Sequence, residues 1–354
     1  MIKDIDIEEA IAIANAQFID LRSPAEHNET PIPGAVNIPL LLDDERAIVG
    51  TIYRHLGSGK ARQRGLQMVG PRLSEMIGEI EKIAASSEII LYCWRGGDRS
   101  QSVAQVLNIM GVNGYRLNGG YRAYRNLVVK RLGELPKGTA LVVHGLTGTG
   151  KTKIIQELER MGYPAVDLEG LANHRGSVFG GVGLGEQPSQ KYFDSKLNSK
   201  LQEYERFPYF IVESESKKIG RLFLPDHLFG LMKIGCHILV YDTLENRINR
   251  LYDEYVESMN ETKDLLLSSL QGLSRHMGKD KLHELSELIE KGDYNEAIAL
   301  LLVQYYDPLY GYDNKPDNHY DLSIDGGNSR KAAETIAAWL DKTLKGGRQL
   351  AKPR

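Results

Sequence analysis

Two stretches of this 354-residue chain combine reactive residue types with the spacing that chemistry needs. The first is Tyr92-Cys93-Trp94-Arg95-Gly96-Gly97-Asp98-Arg99-Ser100. Its cysteine follows an apolar run, Glu88-Ile89-Ile90-Leu91, and precedes a helix-like segment from Gln101 to Met110. A strand thus delivers a thiol to the mouth of a short loop. Two glycines let that loop curl so that successive N–H groups point inward and make an anion nest. The following helix adds the positive end of its dipole, and Arg95 and Arg99 add full charges. A thiol so placed reacts as its thiolate. A buried structural cysteine is the commoner fate of a free Cys, but strand, nest, helix and cations coincide here at one residue.

The second stretch is Gly145-Leu146-Thr147-Gly148-Thr149-Gly150-Lys151-Thr152, between the strand pattern Ala140-Leu141-Val142-Val143-His144 and a helix from Lys153 to Met161. It fits the phosphate-binding G-x4-G-K-[ST] pattern. Backbone N–H groups wrap a polyphosphate, Lys151 neutralises its charge, and Thr152 can ligate Mg²⁺. Such a loop needs an acidic residue at the end of another strand. Tyr209-Phe210-Ile211-Val212-Glu213 offers Glu213, and Asp167 and Glu169 after Ala165-Val166 offer a second site. His174 to Gly181, continued to Gln190, is glycine-rich and reads as a mobile substrate loop rather than core. Arg175 is a candidate diphosphate clamp, and His174 is either an acid/base or a hydrogen-bonded structural residue.

The elements that must position these loops alternate between strand and helix. Residues 8–17 read as a helix, 18–22 as a strand, 72–84 as a helix with an apolar stripe, 88–92 as a strand and 115–117 as another. This alternation predicts a parallel α/β sheet, with reactive loops at the carboxyl ends of its strands. Gly133 to Gly138 is the natural boundary. The expected organisation is an α/β domain over 1–133 and a P-loop NTPase-like α/β domain over 134–354, the latter with a helical subdomain at about 243–304. Asn314-Lys315-Pro316-Asp317 spells a guanine-reading motif but follows turn-like residues and is read as a loop. The basic tail from Lys345 to Arg354 is expected to be disordered.

Between residues 43 and 72 lies an insertion. Over 51–72 it has Arg54, Lys60, Arg62, Arg64 and Arg72 and no acidic residue, and glycines at 57, 59, 65 and 70 predict flexibility. Such a charge run is commonly just a solvated loop, but Arg62 and Arg64 have nothing to pair with locally, which favours an anion or RNA-backbone contact through Arg54, Lys60, Arg62 and Arg64. The formal charge of −3 gives no whole-molecule attraction for nucleic acid, so a local patch must supply it.

Composition narrows the rest. With 42% hydrophobic and 26% charged residues the chain is of ordinary soluble type. No apolar run approaches the ~20 residues of a membrane span. The first residues lack a signal peptide's basic flank and apolar core, so a cytoplasmic, membrane-free protein is expected. Two cysteines, Cys93 and Cys236, make no disulfide framework and suit no metal motif. Neither a covalent cofactor nor a metal site built from protein alone is expected.

Four ordered landmarks resemble a rhodanese domain: Ile19-Asp20-Leu21-Arg22-Ser23-Pro24, Ile32-Pro33-Gly34-Ala35-Val36-Asn37-Ile38-Pro39, the cysteine loop, and Leu117-Asn118-Gly119-Gly120-Tyr121. Rhodaneses use the loop cysteine to carry sulfur. Here Arg99 stands six positions after Cys93, one more than in many small sulfurtransferases and the spacing of cysteine-dependent phosphatases. The wider loop suits a tetrahedral, phosphate-like anion. Together with the phosphate loop, Ala61-Arg62-Gln63-x-Gly65, His174-Arg175-Gly176-Ser177-x-Phe179-Gly180 and Glu213-Ser214-Glu215-Ser216-x-x-Ile219-Gly220, the whole resembles the bacterial tRNA 2-selenouridine synthases.

That resemblance implies a transferase acting on tRNA that carries wobble 2-thiouridine. Geranyl diphosphate first alkylates the sulfur, and selenium from selenophosphate then displaces it. It implies Cys93, Arg95 and Arg99 as catalytic residues, with Trp94, Gly96, Gly97, Asp98 and Ser100 around selenophosphate. Gly145, Thr147, Gly148, Thr149, Gly150, Lys151, Thr152 and Arg175 would hold the diphosphate, assisted by Glu213 and Asp167 and by Mg²⁺. The enzyme that makes selenophosphate is implied as a transient partner. A sulfurtransferase fused to an ATP-dependent kinase, a cysteine-dependent phosphatase and a non-enzymatic tRNA-binding module stand as alternatives.

Overall fold

The computed structural model describes residues 1–257, 262–273 and 277–345. They form two compact units: Met1–Arg131 with Ser189–Lys196, and Leu132–Pro188 with the residues from Leu197 onward. Each unit is built on a parallel sheet.

In the first unit the strands are β1 (Ile2–Ile5), β2 (Ala16–Asp20), β3 (Val36–Asn37), β4 (Glu88–Tyr92) and β5 (Gly114–Leu117), ordered β1-β5-β4-β2-β3 with every pairing parallel. β4 is the middle strand. Its Ile89, Ile90, Leu91 and Tyr92 are fully buried, which is why the run is continuously apolar instead of alternating. The helices Leu73–Ala84 and Asp98–Ile109 press Ile77, Ile80, Val103 and Leu107 onto Ile19, Leu21 and Leu91.

A charged pair lies inside this unit. Arg22 and Asp20 are both completely buried, with Arg22 Nη2 2.7 Å from Asp20 Oδ2. Arg22 also donates to the carbonyl of Thr30 at 2.8 Å, and its guanidinium lies 4.3 Å from the centre of the Tyr121 ring. Such a pair is tolerated because its donors find acceptors. It ties the end of β2 to the segment after Pro24 and to the helix Gly120–Leu132.

Two expectations fail in this unit. Residues 8–17 form only a short helix, Ile7–Ala10, followed by turns. The insertion is not a flexible loop. It is helical over Asp43–Val69, bent at Gly57 where φ is 83° and ψ 174°. Asp43, Asp44 and Glu45 fill its first turn, the favourable sign for the helix dipole. Gly57 thus serves the bend.

In the second unit the strands are β6 (Thr139–His144), β7 (Ala165–Val166), β8 (Tyr209–Glu213), the hairpin β9 (Lys218–Ile219) and β10 (Leu222–Phe223), β11 (Cys236–Tyr241) and β12 (Leu322–Asp325). The main sheet is ordered β12-β11-β6-β8-β7, all parallel. β6 is central and pairs directly with β8, so Val143 stands opposite Glu213. The helices Lys151–Arg160 and Ser329–Lys345 cover one apolar layer with Ile154, Ile155, Ala333 and Ile336.

A second core is made by helices between Leu244 and Leu309, in agreement with the helical subdomain. Phe179 and Val182 are buried in it. The stretch 174–190 is irregular, as expected, but it is anchored rather than free of the core. The Asn314 segment is a loop: the Asn314 side chain accepts the Asp242 N–H at 3.0 Å and closes the end of β11. Residues 346–354 of the basic tail lie outside the described residues. Among the described residues, no helix is long and apolar enough to cross a membrane.

Candidate active site

The cysteine loop leaves the end of β4. The N–H groups of Tyr121 and Arg122, at the start of the helix Gly120–Leu132, donate to the carbonyls of Cys93 and Trp94 at 2.8 and 3.1 Å. Two loop carbonyls are thereby turned toward that helix. No acceptor takes the backbone N–H groups of Trp94, Arg95, Gly96 or Gly97 among the described residues. These are the donors of an anion nest, and the helix Asp98–Ile109 opens directly after them. Cys93 Sγ is buried, 3.4 Å from the Ser100 hydroxyl.

The glycine pair after β5 makes this arrangement fit. Gly120 has φ 57°, and a Cβ there would stand 2.2 Å from the Cys93 carbonyl oxygen and 2.5 Å from the Gly96 nitrogen. Gly120→Ala is expected to push the loop off the helix. It should cost about 1–3 kcal/mol in backbone strain alone and abolish the chemistry at Cys93. Denaturant unfolding and the rate at which a small thiol reagent alkylates Cys93 check this; a variant of unchanged stability and thiol reactivity would refute it.

The cations around the nest differ in how they are engaged. Arg95 is exposed and has no ion-pair partner among the described residues. Arg99 donates to Glu26 Oε2 at 2.6 Å, and Arg46 shares the same oxygen at 3.1 Å. Burial pushes the Glu26 carboxyl up, but Arg99, the Ser23 N–H and Arg46 outweigh it and hold the group below its ordinary range. Glu26 is therefore an anionic strut that positions Arg99. In the structure Glu26 also closes a capping box with Ser23 at the start of the helix Pro24–Glu29, and the sequence did not single it out. Lys191, from the distant segment Ser189–Lys196, places its ammonium 5.6 Å from the Trp94 ring centre. Nothing local in the sequence pointed to it.

The nest opens on a cavity of about 990 Å³. Cys93, Trp94, Arg95 and Arg99 line one part, and the bent insertion supplies much of the rest, with Ala61, Leu66 and Val69 facing it. Arg54 and Arg62 also line it. Arg62 is not unpaired, as its local sequence suggests: it makes two hydrogen bonds to Asp98 at 3.0 and 3.2 Å. Arg64 donates to Gln67. Lys60 and Arg64 are exposed and lie outside the cavity lining.

The phosphate loop joins β6 to the helix Lys151–Arg160. Lys151 Nζ donates to the Gly145 carbonyl at 2.8 Å, lying across the loop. Gly145 N–H donates to the Tyr312 hydroxyl at 3.1 Å, and the Thr147 and Tyr310 hydroxyls are 3.1 Å apart. Arg247, nearly fully buried, donates to the Thr147 carbonyl at 2.9 Å and pairs with Asp307. Arg250 donates to the Gly148 carbonyl and pairs with Asp242 at 2.8 Å. The loop is thus braced from outside by residues the sequence did not single out. Thr149 is buried and donates to the Leu146 carbonyl, a structural role within the loop.

The acidic residues divide their roles. Asp167 is a helix cap, accepting the Gly170 N–H at 2.6 Å and the Gln156 amide at 2.8 Å. Glu169, not Asp167, accepts the Thr152 hydroxyl, at 2.7 Å. Glu213 Oε1 accepts the Glu169 N–H at 2.8 Å, and Glu213 Oε2 is buried without a partner. A Cβ on Gly176 would come within 3.0 Å of carboxylate oxygens of Glu169 and Glu215, so the His174-Arg175-Gly176 turn lies on these carboxyls. Arg175 itself is held by Glu254 at 2.5 Å and lies 4.8 Å from the Tyr255 ring centre. His174 has a buried Nδ1 without a partner; burial, then Arg175, push its pKa down and favour the neutral ring.

Burial raises Glu213 well above the carboxylate range and raises Glu169 as well. Glu215 is pushed up to about 8, by burial first and then by Glu169, against the pull of Lys151. Glu215 therefore keeps a proton at neutral pH, and the upward shifts of Glu213 and Glu169 lessen how far these carboxyls cancel the positive field of the loop. The sign for stability follows. Between the ordinary 4.5 and about 8, folded Glu215 keeps a proton that the unfolded chain has lost. Stability therefore falls as pH rises through that window and levels off above it. Melting temperatures across this range should fall more steeply for the wild type than for Glu215→Gln; parallel curves would rule the assignment out.

Fold and sites define a class: a rhodanese-type domain with a loop cysteine joined to a P-loop domain. Residues 6–127 match the rhodanese-like domain model, and residues 138–345 match the tRNA 2-selenouridine synthase AAA domain model. The tRNA 2-selenouridine synthase of Nitrosomonas europaea is 33% identical, over 87% of this chain and 92% of its own. Its namesake in Pseudomonas syringae is 35% identical over 86% and 90%, and that in Shewanella oneidensis 33% over 94% and 93%. The chain belongs to the tRNA 2-selenouridine synthase family.

Proposed function

We propose that this protein converts wobble 2-thiouridine of tRNA into 2-selenouridine through an S-geranylated intermediate, using geranyl diphosphate and selenophosphate. The observation that supports the geranyl reading is a small apolar cavity of about 60 Å³ that touches Thr147 of the phosphate loop. Phe179, Leu251, Tyr255, Ile298 and Leu302 also line it, and apart from tyrosine hydroxyls only the Thr147 and Ser177 side chains bring polar atoms to it; it would seat the start of a hydrocarbon chain and would have to widen to take all ten carbons. A nucleotide base needs hydrogen-bonding partners for its edges; a hydrocarbon attached to a diphosphate needs this wall.

In the first step the thiouridine sulfur attacks C1 of geranyl diphosphate, and the diphosphate leaves with the bonding pair. Lys151 and the loop N–H groups stabilise the charge that develops on it. Mg²⁺ would add counter-charge there. Thr152 and Glu169 carry suitable hard oxygen donors, and the unpartnered Glu213 oxygen lies in the same cluster. No group of three or more His, Cys, Asp and Glu is arranged to hold a metal among the described residues, so the diphosphate's own oxygens would complete the shell.

In the second step selenide adds at C2, the C2–S bond breaks, and the ten-carbon thiolate leaves and takes up a proton. The nest over Cys93 suits the tetrahedral selenophosphate anion. The apolar side of its cavity, at Ala61, Leu66 and Val69, suits the geranyl chain. Arg54, Lys60, Arg62 and Arg64 on the insertion suit the tRNA backbone, as a cytoplasmic transferase of this kind requires. A phosphatase reading is disfavoured because Asp98, the nearest acid of the loop, is held by Arg62. Mass spectrometry of tRNA nucleosides tests the proposal, with geranyl diphosphate and selenophosphate each left out in turn. Omitting selenophosphate should leave S-geranyl-2-thiouridine; omitting geranyl diphosphate should leave 2-thiouridine. Selenouridine made without geranyl diphosphate would overturn it.

A further inference from the structure

We propose that Cys93 attacks the phosphorus of selenophosphate, not its selenium, and passes through a phosphocysteine. This rests on the nest holding selenophosphate. Electron balance makes the choice. Selenium in selenophosphate is already at the selenide level. Joining it to Cys93 as a perselenide would oxidise it by two electrons and expel phosphorus at the phosphite level. The proposed reaction supplies no oxidant for selenium that must end as selenide in the nucleoside. Cys236, the other cysteine, is buried in β11.

Attack on phosphorus balances. The S–P bond forms, the P–Se bond breaks, and the bonding pair leaves with selenium as hydroselenide. Water then attacks phosphorus, the S–P bond breaks, and its pair returns to Cys93 as phosphate departs. Hydroselenide is left as the nucleophile for C2 of the S-geranylated uridine.

Three features of the loop fit this route. The N–H groups of Trp94, Arg95, Gly96 and Gly97 have no acceptor among the described residues, so they can cradle the oxygens of a phosphoryl group in transfer. Arg99 follows Cys93 at the interval that suits a tetrahedral anion, and Glu26 holds its guanidinium in place. The Ser100 hydroxyl, fully buried, lies 3.4 Å from Cys93 Sγ. In the structure this hydroxyl donates to the Gly97 carbonyl at 3.2 Å; turned toward Sγ instead, it can donate to the thiolate as that thiolate leaves phosphorus, which is the harder half of the cycle. A sulfur that merely relayed selenium would have no such leaving-group problem. Ser100 is thus assigned as the residue that releases the phosphocysteine.

The test uses the full chain with ³²P-labelled selenophosphate, quenched rapidly in alkaline detergent, in which an S–P bond survives. Ser100→Ala should slow selenouridine formation about tenfold or more. It should also raise protein-bound ³²P toward one per chain, and Ser100→Thr, which keeps the hydroxyl, should restore turnover and lower the label. Cys93→Ala should carry no label. Protein-bound ⁷⁵Se without ³²P would overturn the inference while leaving the proposed function standing, as would a Ser100→Ala enzyme that still makes selenouridine and never carries ³²P. A wild-type chain that releases no selenium from selenophosphate and makes no selenouridine would remove both.

Discussion

Cys93→Ala should lose selenouridine formation by about 10³-fold or more and accumulate S-geranyl-2-thiouridine in its place. The expectation follows from where the thiol lies. Its sulfur lies in a loop whose N–H groups have no acceptor among the described residues, and the residues proposed to bind and activate diphosphate belong to a separate loop after β6. The side chain is buried beside Leu91 and Tyr92, and alanine removes one sulfur atom without adding charge or bulk. The fold should therefore survive, and the loss should be of chemistry alone. Nucleoside mass spectrometry reads both products in one sample. Loss of both together would mean that the two steps do not divide between the two loops.

Lys151→Ala should show the mirror pattern. Lys151 is the one full positive charge of the phosphate loop, and its ammonium already lies across the loop carbonyls. Without it, the negative charge that builds on the departing diphosphate is left to backbone N–H groups, which should slow geranylation by about 10²-fold or more. The neighbouring carboxyls sharpen the effect. Burial favours the neutral forms of Glu213, Glu169 and Glu215 and so lessens their repulsion of a diphosphate, but they supply no positive charge of their own. Removing Lys151 also removes the charge that pulls Glu215 down, so its carboxyl should titrate higher still. Geranylation measured with selenophosphate absent isolates this step. A Lys151→Ala enzyme that geranylates normally and fails only with selenophosphate would assign the loop to another ligand.

The parts legible in the sequence share a cause. β4 and β6 are buried on both faces, so their apolar runs stand out, and each ends in a loop whose glycines and cations together point to anion binding. The Gly119-Gly120 pair is visible as a landmark, but its purpose is a contact between parts of the chain far apart in sequence. Only the structure shows the Cys93 carbonyl against Gly120. The insertion reads as a flexible loop because its glycines suggest freedom. Gly57 instead marks the bend between two helical arms. Arg62 looks unpaired because its acid, Asp98, is 36 residues away. The same limit hides Glu26 behind Arg99, Lys191 beside Trp94, and Tyr310 and Tyr312 on the phosphate loop. Asp167 and Glu169 differ by two positions and are both candidates by sequence; the hydrogen bond from Thr152 selects Glu169.

The central claim is that selenium enters only after the sulfur has been alkylated. It is tested most directly with tRNA that carries preformed S-geranyl-2-thiouridine, given selenophosphate and no geranyl diphosphate. The wild type and Lys151→Ala should both make 2-selenouridine from it at similar rates, and neither should make any from plain 2-thiouridine tRNA under the same conditions. Selenouridine from the plain tRNA, or a geranylated tRNA that stays inert with the wild type, would contradict the account.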